Sequence, residues 1–181
     1  MTDRVKESLF DALGSRFGTP GTLPAIDVLD LFSGSGALGI ECMSRGARSC
    51  LFVERDRRSL RVLRANLQSL GLDESCRVSN ENGWTMRVPN LGEEGLGLVF
   101  VDPPYRDVEK PTRARDLLER LAPRLSQNGW LVFRCSSTAA FPADTVRGLE
   151  CADVRAFGQM RVLLFRRVEE ATVCTRESPS S

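Results

Sequence analysis

The chain has 181 residues and a formal net charge of +1, because 25 lysine and arginine residues are balanced by 24 acidic ones. This balance excludes attraction of nucleic acid by net charge alone, and the length suits one domain with its own core. No apolar run approaches the roughly 20 residues that span a bilayer. Histidine is absent, which excludes a histidine base or metal ligand.

The N-terminus and the cysteines indicate the compartment in which the protein works. Charged residues at positions 3, 4, 6 and 7 interrupt the apolar run that a signal peptide needs. The six cysteines form no CxxC pair and several lie in apolar segments. This pattern is typical of reduced thiols rather than of disulfides or zinc ligands. We therefore predict a cytoplasmic protein with no metal and no membrane partner.

The spacing of apolar residues predicts helices and strands that alternate along the chain. Thr2 or Asp3 can cap a first helix over residues 5–17. Buried strands and amphipathic helices follow in turn, and the last two strands form a hairpin around Gly158. The predicted strands are 26–32, 49–54, 75–80, 96–102, 129–135, 151–157 and 159–167, and the later helices are 37–45, 57–70 and 112–125.

This alternation predicts an α/β, Rossmann-like fold with a mostly parallel seven-stranded sheet, helices on both faces and a C-terminal antiparallel hairpin. One domain covers residues 1–168, and the polar, serine-rich residues 169–181 are predicted to form a disordered tail. Such sheets bind ligands at the carboxyl ends of their strands, where the strand order reverses. The motifs described next are predicted to lie there.

A glycine-rich loop follows the first strand. In LDLFSGSGALGIE, residues 29–41, Gly34 and Gly36 permit a tight turn and Gly39 permits close packing of the next helix. Glu54, at the end of the second strand, can accept hydrogen bonds from both ribose hydroxyls of a nucleotide. The pattern alone suits NAD, FAD and S-adenosylmethionine. Asp30 favours the last, because an acid repels a pyrophosphate and suits a cationic amine and sulfonium.

A second motif, DPPY, ends the fourth strand at residues 102–105. Prolines stiffen the chain and donate no backbone hydrogen bond, so the Asp102 carboxylate and the Pro103 carbonyl offer acceptors on a rigid frame continued by Pro104. Tyr105 offers a ring for stacking on a base. Acceptors that hold both hydrogens of a nucleobase amine aim its nitrogen lone pair at an electrophile without a strong base. The two motifs together favour amine methylation by S-adenosylmethionine.

The segments TDRVKESLF, VLDLFSGSGALGIECMSRGA, FVERDRRSLRVLRANLQSLGL, LVFVDPPY and RAFGQMRVLLF resemble the bacterial 16S ribosomal RNA guanine-N2 methyltransferase family over residues 2–166. The resemblance implies a class I methyltransferase fold and methylation of a guanine N2 amine in the RNA of the small subunit. It also implies base contacts from Asp102 to Tyr105. The implied cofactor contacts are Asp30, the Gly34–Gly39 loop with Ser35, and Glu54, while Phe32 lies at the entrance of the site.

Two features of the sequence depart from the pattern of that family. The family carries an aspartate after the third strand for the adenine amine, and Asn82 aligns best with it here. The family also has a basic segment ahead of the TDRVKE-like helix, and almost nothing precedes Thr2. Arg4 and Lys6 are candidate RNA-binding residues by the resemblance only. The arginines at 55, 57, 58, 61 and 64 favour a solvated face over a phosphate-binding ridge.

The prediction is thus a monomeric S-adenosylmethionine-dependent enzyme acting on 16S ribosomal RNA, within a small-subunit particle. Three alternatives stay open at this point. One is an adenine-N6 methyltransferase on DNA or RNA, whose target amine presents similar hydrogens. Another is a cofactor-binding homologue that, without the basic segment, does not methylate. The third is a nicotinamide oxidoreductase.

Overall fold

The structure, a computed structural model, describes residues 3–89, 94–104, 111–139 and 141–168. Its helices and strands alternate as the sequence predicts. In chain order they are α1 (Asp3–Arg16), β1 (Asp27–Leu31), α2 (Ala37–Ser44), β2 (Ser49–Val53), α3 (Arg57–Ser69), β3 (Cys76–Ser79), β4 (Leu96–Val101), α4 (Pro111–Leu121), β5 (Leu125–Ser136), β6 (Leu149–Phe157) and β7 (Met160–Arg167).

The seven strands form one sheet in the order β3-β2-β1-β4-β5-β7-β6. Strands β3, β2, β1, β4 and β5 are parallel, while β7 runs antiparallel to both β5 and β6. The predicted seven-stranded, mostly parallel sheet with a C-terminal antiparallel hairpin is confirmed. The strand order reverses between β1 and β4, which is where open α/β sheets bind their ligands.

Apolar clusters cover both faces of the sheet because neighbouring strand residues point to opposite sides. On one face, Val28 packs with Leu9, Leu13 and Leu63 from α1 and α3. On the other face, Leu29 shares a cluster with residues of α4 and with Trp84 and Met86 of the segment after β3. Burial on both faces explains why β4 is apolar at nearly every position. Strand β1 is buried at all five positions as well, although two of them are the aspartates Asp27 and Asp30.

The boundary between α4 and β5 differs from the prediction. The helix was expected to reach residue 125 and the strand to begin at 129. Instead α4 ends at Leu121, a 3₁₀ turn containing Pro123 follows, and β5 begins at Leu125. Beside β4, the pairing moves from Leu96↔Leu125 to Leu98↔Trp130, so β5 accommodates three extra residues in a bulge. Periodicity does not reveal such an insertion.

Several predictions fall outside the described residues, namely those for Thr2, Tyr105, Cys174 and the tail over residues 169–181. The single domain over residues 1–168 stays a prediction. In the described ranges, five cysteines are unpaired thiols, and His, Cys, Asp and Glu side chains nowhere gather in threes that could hold a metal. No helix in these ranges is both long and apolar enough to cross a bilayer.

Candidate active site

The glycine loop leaves the carboxyl end of β1 in an unusual backbone conformation. Phe32, Gly34 and Gly36 have positive φ angles of 61°, 57° and 86°. Glycine adopts this region freely, whereas a phenylalanine there is strained and is held only by its surroundings. The strained backbone turns the Phe32 ring toward Trp84, with ring centroids 5.0 Å apart. The loop thereby supplies one aromatic wall of a cavity.

Gly39 lies in the first turns of α2, where the helix approaches β2 most closely. A Cβ atom built on Gly39 would lie 2.3 Å from the Phe52 ring and 2.7 Å from the Cys50 sulfur. The predicted role of Gly39 in close helix–strand packing is therefore confirmed. Its backbone N–H donates to Asp30 Oδ2 at 3.0 Å, so the strand, the loop and the helix are joined at one point.

Asp30 is buried in β1, and burial raises the pKa of its carboxyl to about 7. The hydrogen bond from Gly39 opposes this rise, whereas the charges of Asp102 and Glu54 add to it. The Oδ1 atom of Asp30 and the hydroxyl of Ser33 are both buried with no hydrogen-bond partner among the residues that the structure describes. Two such atoms, one at the end of β1 and one in the loop that follows it, mark a place where a ligand is expected to supply the missing hydrogen bonds.

Glu54 follows β2 and joins the glycine loop to the start of α3. Its Oε2 accepts from the Gly34 N–H at 2.8 Å, and its Oε1 accepts from the N–H groups of Arg55 and Asp56 at 2.7 Å each. The sequence predicts that this carboxylate accepts hydrogen bonds from the ribose hydroxyls of a nucleotide. The structure adds a second role, because the same carboxylate holds the loop.

A cavity of about 570 Å³ opens at the carboxyl ends of β1, β2 and β3, in the size range of small-molecule sites. The Trp84 ring forms one wall, and the Arg113 guanidinium stacks on it with its carbon 4.3 Å from the ring centroid. Four predicted site residues lie in the same lining, namely Phe32, Glu54, Asn82 and Pro104. The full lining is Phe32, Val53, Glu54, Arg55, Asp56, Asn82, Gly83, Trp84, Pro104 and Arg113.

Asn82 borders this cavity after β3, as the alignment of motifs predicts. Its Oδ1 accepts a hydrogen bond from the Trp84 N–H at 3.1 Å. The side chain therefore shapes the turn that presents the Trp84 ring, and its amide N–H₂ group is the part that can meet a ligand. The role in adenine binding stays a prediction.

The DPP segment continues β4 directly beside the glycine loop. The Asp102 N–H donates to the Leu31 carbonyl at 3.3 Å, one residue before Phe32. Pro103 is buried, and Pro104 is exposed at the cavity wall. The two motifs thus share one cleft, as the sequence predicts. Tyr105 lies outside the described residues, so its predicted stacking on a base stays a prediction.

The Asp102 carboxylate forms an ion pair with Arg134 of β5. Burial raises the pKa of Asp102 above its ordinary value, and the Arg134 guanidinium opposes that rise. The ion pair follows from strand register, because Val101 pairs with Phe133 and the next residues of the two strands lie side by side. Arg134 was not predicted as a site residue, since nothing in its local sequence indicates the contact.

The remaining predicted residues are placed as follows. Ser35 is exposed on the loop, and its carbonyl accepts from Asn66 at 3.0 Å. Arg4 is exposed on α1. Lys6 forms an ion pair with Glu41 of α2 at 3.3 Å, so its charge is partly used within the fold. The structure does not bring Arg4 or Lys6 into the cavity lining.

Sequence reasoning also missed Arg113, Gly83 and Ser33. Arg113 reaches the site from α4, and the distance in sequence hides its contact with Trp84. Gly83 leaves room for the aromatic wall, because a Cβ atom there would lie 3.0 Å from the Phe32 ring. A glycine between Asn82 and Trp84 is the one local signal that could have drawn attention to this turn.

The strand order, the glycine loop at the reversal point and the DPP segment beside it define a class I methyltransferase. The family described as "Conserved hypothetical protein 95" matches residues 1–166, and the chain belongs to this family. The match and the relatives below confirm the resemblance to the 16S ribosomal RNA guanine-N2 methyltransferase family. They also confirm the prediction of S-adenosylmethionine as the cofactor.

Three relatives of similar sequence or structure are methyltransferases by name. "Putative rRNA methyltransferase YlbH" of Bacillus subtilis is 33% identical over 92% of this chain and 86% of its own length. "Ribosomal RNA small subunit methyltransferase D" of Escherichia coli is 39% identical over 72% of this chain, which spans 57% of that relative. The solved structure "Putative methyltransferase yhhF from Escherichia coli" is 28% identical with a TM-score of 0.71, covering 93% of this chain and 89% of that one.

Proposed function

We propose that the protein transfers a methyl group from S-adenosylmethionine to the N2 amine of a guanine in 16S ribosomal RNA. The observation that carries this proposal is the hydrogen bond from the Asp102 N–H to the Leu31 carbonyl, which holds the amine-binding motif against the glycine loop. The names of the relatives support ribosomal RNA of the small subunit as the substrate. The guanine N2 position rests on the family resemblance.

The residues of the cleft suit S-adenosylmethionine by charge and shape. Glu54 and Asp102 each interact electrostatically with Asp30, and this group of three carboxyl side chains suits a sulfonium and an ammonium group. The Asp30 Oδ1 and Ser33 Oγ atoms offer unused acceptors beside the loop. Phe32 and Trp84 provide apolar walls in the part of the cavity that suits the adenine ring.

The bound cofactor supplies an electrophilic methyl group. Asp102 and Pro103 act on the other reactant, the guanine amine, by accepting its two hydrogens through the carboxylate and the carbonyl. This holds the nitrogen close to tetrahedral and directs its lone pair toward the methyl group. As the new N–C bond forms, the S–C bond to the methyl group breaks, S-adenosylhomocysteine leaves, and one of the two amine hydrogens is lost as a proton. Accurate positioning of two reactants can replace much of the entropic barrier. No strong base is needed, in keeping with a chain that contains no histidine.

The proposal is tested with small ribosomal subunits from cells that lack this protein, incubated with methyl-labelled S-adenosylmethionine. We expect label in the RNA, recovered as N2-methylguanosine after digestion to nucleosides. The Asp102→Ala variant is the control, because it should bind the cofactor in calorimetry and transfer no methyl group. Protein-free 16S RNA is assayed in parallel to establish whether the assembled particle is needed.

The same assay separates the alternatives. Label in N6-methyladenosine would overturn the choice of base and support the adenine methyltransferase. Cofactor binding with no label in either RNA or particles would overturn the catalytic proposal and support the non-methylating homologue. Tight binding of NAD in place of S-adenosylmethionine would overturn both.

A further inference from the structure

A second groove lies on the β3 side of the candidate active site. It has a volume of about 410 Å³ and is lined by Arg57, Leu60, Arg61, Arg64 and Asn80. Arg57 directly follows the cavity residue Asp56, and Asn80 lies two residues before Asn82. The groove and the cavity are therefore neighbours both at the start of α3 and in the segment that follows β3. We call it the arginine groove.

The arginines of the groove form a row along one side of α3. Arg57, Arg61 and Arg64 are spaced four and three residues apart, so they lie above one another on the helix surface. All three are exposed, while Leu60, Leu63 and Leu67 are buried against the sheet. The row therefore faces solvent next to the edge of the apolar face.

Folding leaves this row without neutralising charge. Helix α3 contains four arginines and no acidic residue. Within the described residues, none of the three groove arginines has a carboxylate partner, whereas Arg16, Arg45 and Arg155 each form an ion pair. The nearest acid, Asp56, is occupied as the helix cap, since it accepts from the Ser59 N–H at 2.8 Å.

The arrangement is unfavourable for the helix itself. Like charges three or four residues apart destabilise a helix by about 0.2–0.5 kcal/mol for each pair. Cations in the first turn also oppose the helix dipole, which favours negative charge there. A row that folding does not stabilise, beside a groove and the mouth of the active site, is best explained by an external polyanion that neutralises it.

We propose that the arginine groove binds the phosphate backbone of the RNA whose base enters the active site. This inference rests on the proposed function and adds the surface that holds the substrate. Guanidinium groups suit phosphates because their planar forks donate two parallel hydrogen bonds. Asn80 at the opposite side offers a further donor for a phosphate or a ribose hydroxyl. With a net charge of only +1, the protein needs such a local concentration of cations to hold RNA.

The test compares two triple variants that remove the same charge. The groove variant carries Arg57→Gln, Arg61→Gln and Arg64→Gln. The control carries Arg48→Gln, Arg147→Gln and Arg166→Gln. Arg48 precedes β2, Arg147 precedes β6, and Arg166 lies in β7 opposite Trp130 of β5. Filter binding to protein-free 16S RNA transcribed in vitro is measured from 50 to 300 mM salt. Calorimetry with S-adenosylmethionine and thermal melting are measured for both variants.

The groove variant is expected to lose RNA affinity on the order of a hundredfold at 0.1 M salt, and its salt slope should fall by about 2 to 3. Its melting temperature should be equal to or above that of the wild type, because like-charge repulsion is removed. The control should bind RNA nearly as the wild type does. A third variant with lysine at the three groove positions keeps the charge and should retain the salt slope with a smaller loss of affinity.

Wild-type affinity and slope in the groove variant would overturn the inference, and so would equal losses in both triple variants. Normal binding of naked RNA with lost methylation of small subunits would also overturn it, since the groove would then contact a ribosomal protein. RNA binding is measured without turnover, so the result is independent of the proposed reaction. A wild-type protein that binds RNA through the groove but transfers no methyl group would refute the proposed function and leave this inference standing.

Discussion

The carboxylate of Asp102 is paired with the guanidinium of Arg134 at the carboxyl edge of two neighbouring parallel strands. Both side chains are largely buried, with 17% and 18% of their surface exposed. Burial raises the pKa of Asp102, and Arg134 opposes that rise, so the arginine favours the ionised form of this acceptor. Arg134 therefore acts as a positioning residue for Asp102, which meets the substrate amine in the proposed reaction.

Replacing Arg134 by methionine should raise the pKa of Asp102 further. The carboxylate accepts hydrogen bonds best when ionised, so the acid limb of the rate profile should move to higher pH. We also expect kcat to fall on the order of ten- to a hundredfold near neutral pH, as the acceptor loses its fixed orientation. Cofactor affinity should change little. The measurement is kcat and KM for methyl transfer from pH 5 to 9.

The matched variant is Arg134→Lys, which keeps the positive charge beside Asp102 but loses the planar fork. Its acid limb should stay near that of the wild type, while kcat is partly reduced. If methionine and lysine lower kcat equally and neither moves the pH profile, Arg134 has only a structural role.

The buried carboxyl of Asp30 should make cofactor binding depend on pH. With a pKa of about 7, Asp30 is largely protonated in the free protein at pH 6. The sulfonium and ammonium groups of S-adenosylmethionine favour the carboxylate and lower this pKa, so binding should release a proton. Affinity should rise by up to about tenfold per pH unit below 7 and level off above it. Calorimetry at pH 6.5 in buffers of different ionisation enthalpy measures the proton count.

The Asp30→Asn variant is the control for that experiment. It keeps an oxygen acceptor for the Gly39 N–H and cannot ionise, so proton release should disappear.

The Asp30→Asn variant should also alter stability in a defined direction. The pKa of Asp30 in the folded protein lies above the ordinary value of 3.8. The free energy of unfolding of the wild type should therefore fall as the pH rises from about 4 to 7, by at most about 4 kcal/mol, and stay level at higher pH. The variant should lack this fall. Absence of proton release in the wild type would contradict an interaction between Asp30 and the cationic groups of the cofactor.

The sequence predicts the order of the strands and helices because each carries its own periodicity and its own breakers, although it misplaces the boundary between α4 and β5. It also locates the glycine loop and the DPP segment, since both are continuous stretches of chain at strand ends. The contacts between distant residues escape it. Arg134 meets Asp102 through strand register, and Arg113 meets Trp84 through the packing of α4. Neither contact leaves a local pattern.

The role of Glu54 shows how a correct prediction can be incomplete. A carboxylate at the end of β2 is predicted to bind ribose, yet both of its oxygens accept backbone N–H groups that organise the site. The positive φ of Phe32 is another such case, because sequence alone favours an extended or helical phenylalanine. Backbone strain of this kind depends on the tertiary packing around the residue, which the local sequence does not show.

Glu54→Ala should therefore weaken cofactor binding through the loop as well as through ribose. Three backbone N–H groups lose a charged acceptor, each bond being worth about 1.5–3 kcal/mol. We expect a loss of S-adenosylmethionine affinity on the order of a hundredfold, with a lower melting temperature. Glu54→Gln, which keeps one acceptor, should lose about tenfold. Glu150→Ala, which removes an exposed acid paired with Arg166, is the control and should leave affinity unchanged. Equal binding by the Glu54→Ala variant and the wild type would contradict both roles of Glu54.

The glycines of the loop should respond differently to the same substitution. Gly39→Ala brings a methyl group to 2.3 Å from the Phe52 ring and 2.7 Å from the Cys50 sulfur, so α2 must move away from β2. Overpacking of this kind costs about 1–3 kcal/mol, and the displaced N–H weakens its bond to Asp30. Gly34→Ala meets no atom within 4 Å and suffers only from its φ of 57°, a cost of about 1–2 kcal/mol.

Urea unfolding and calorimetry distinguish the two glycine variants. Gly39→Ala should be the less stable one and should also shift the pH dependence of cofactor binding, because Asp30 loses a hydrogen bond that lowers its pKa. Gly34→Ala should keep the wild-type pH dependence and lose cofactor affinity only through the loop backbone. If Gly39→Ala were as stable as the wild type, the close approach of α2 to β2 would not be a constraint on the fold.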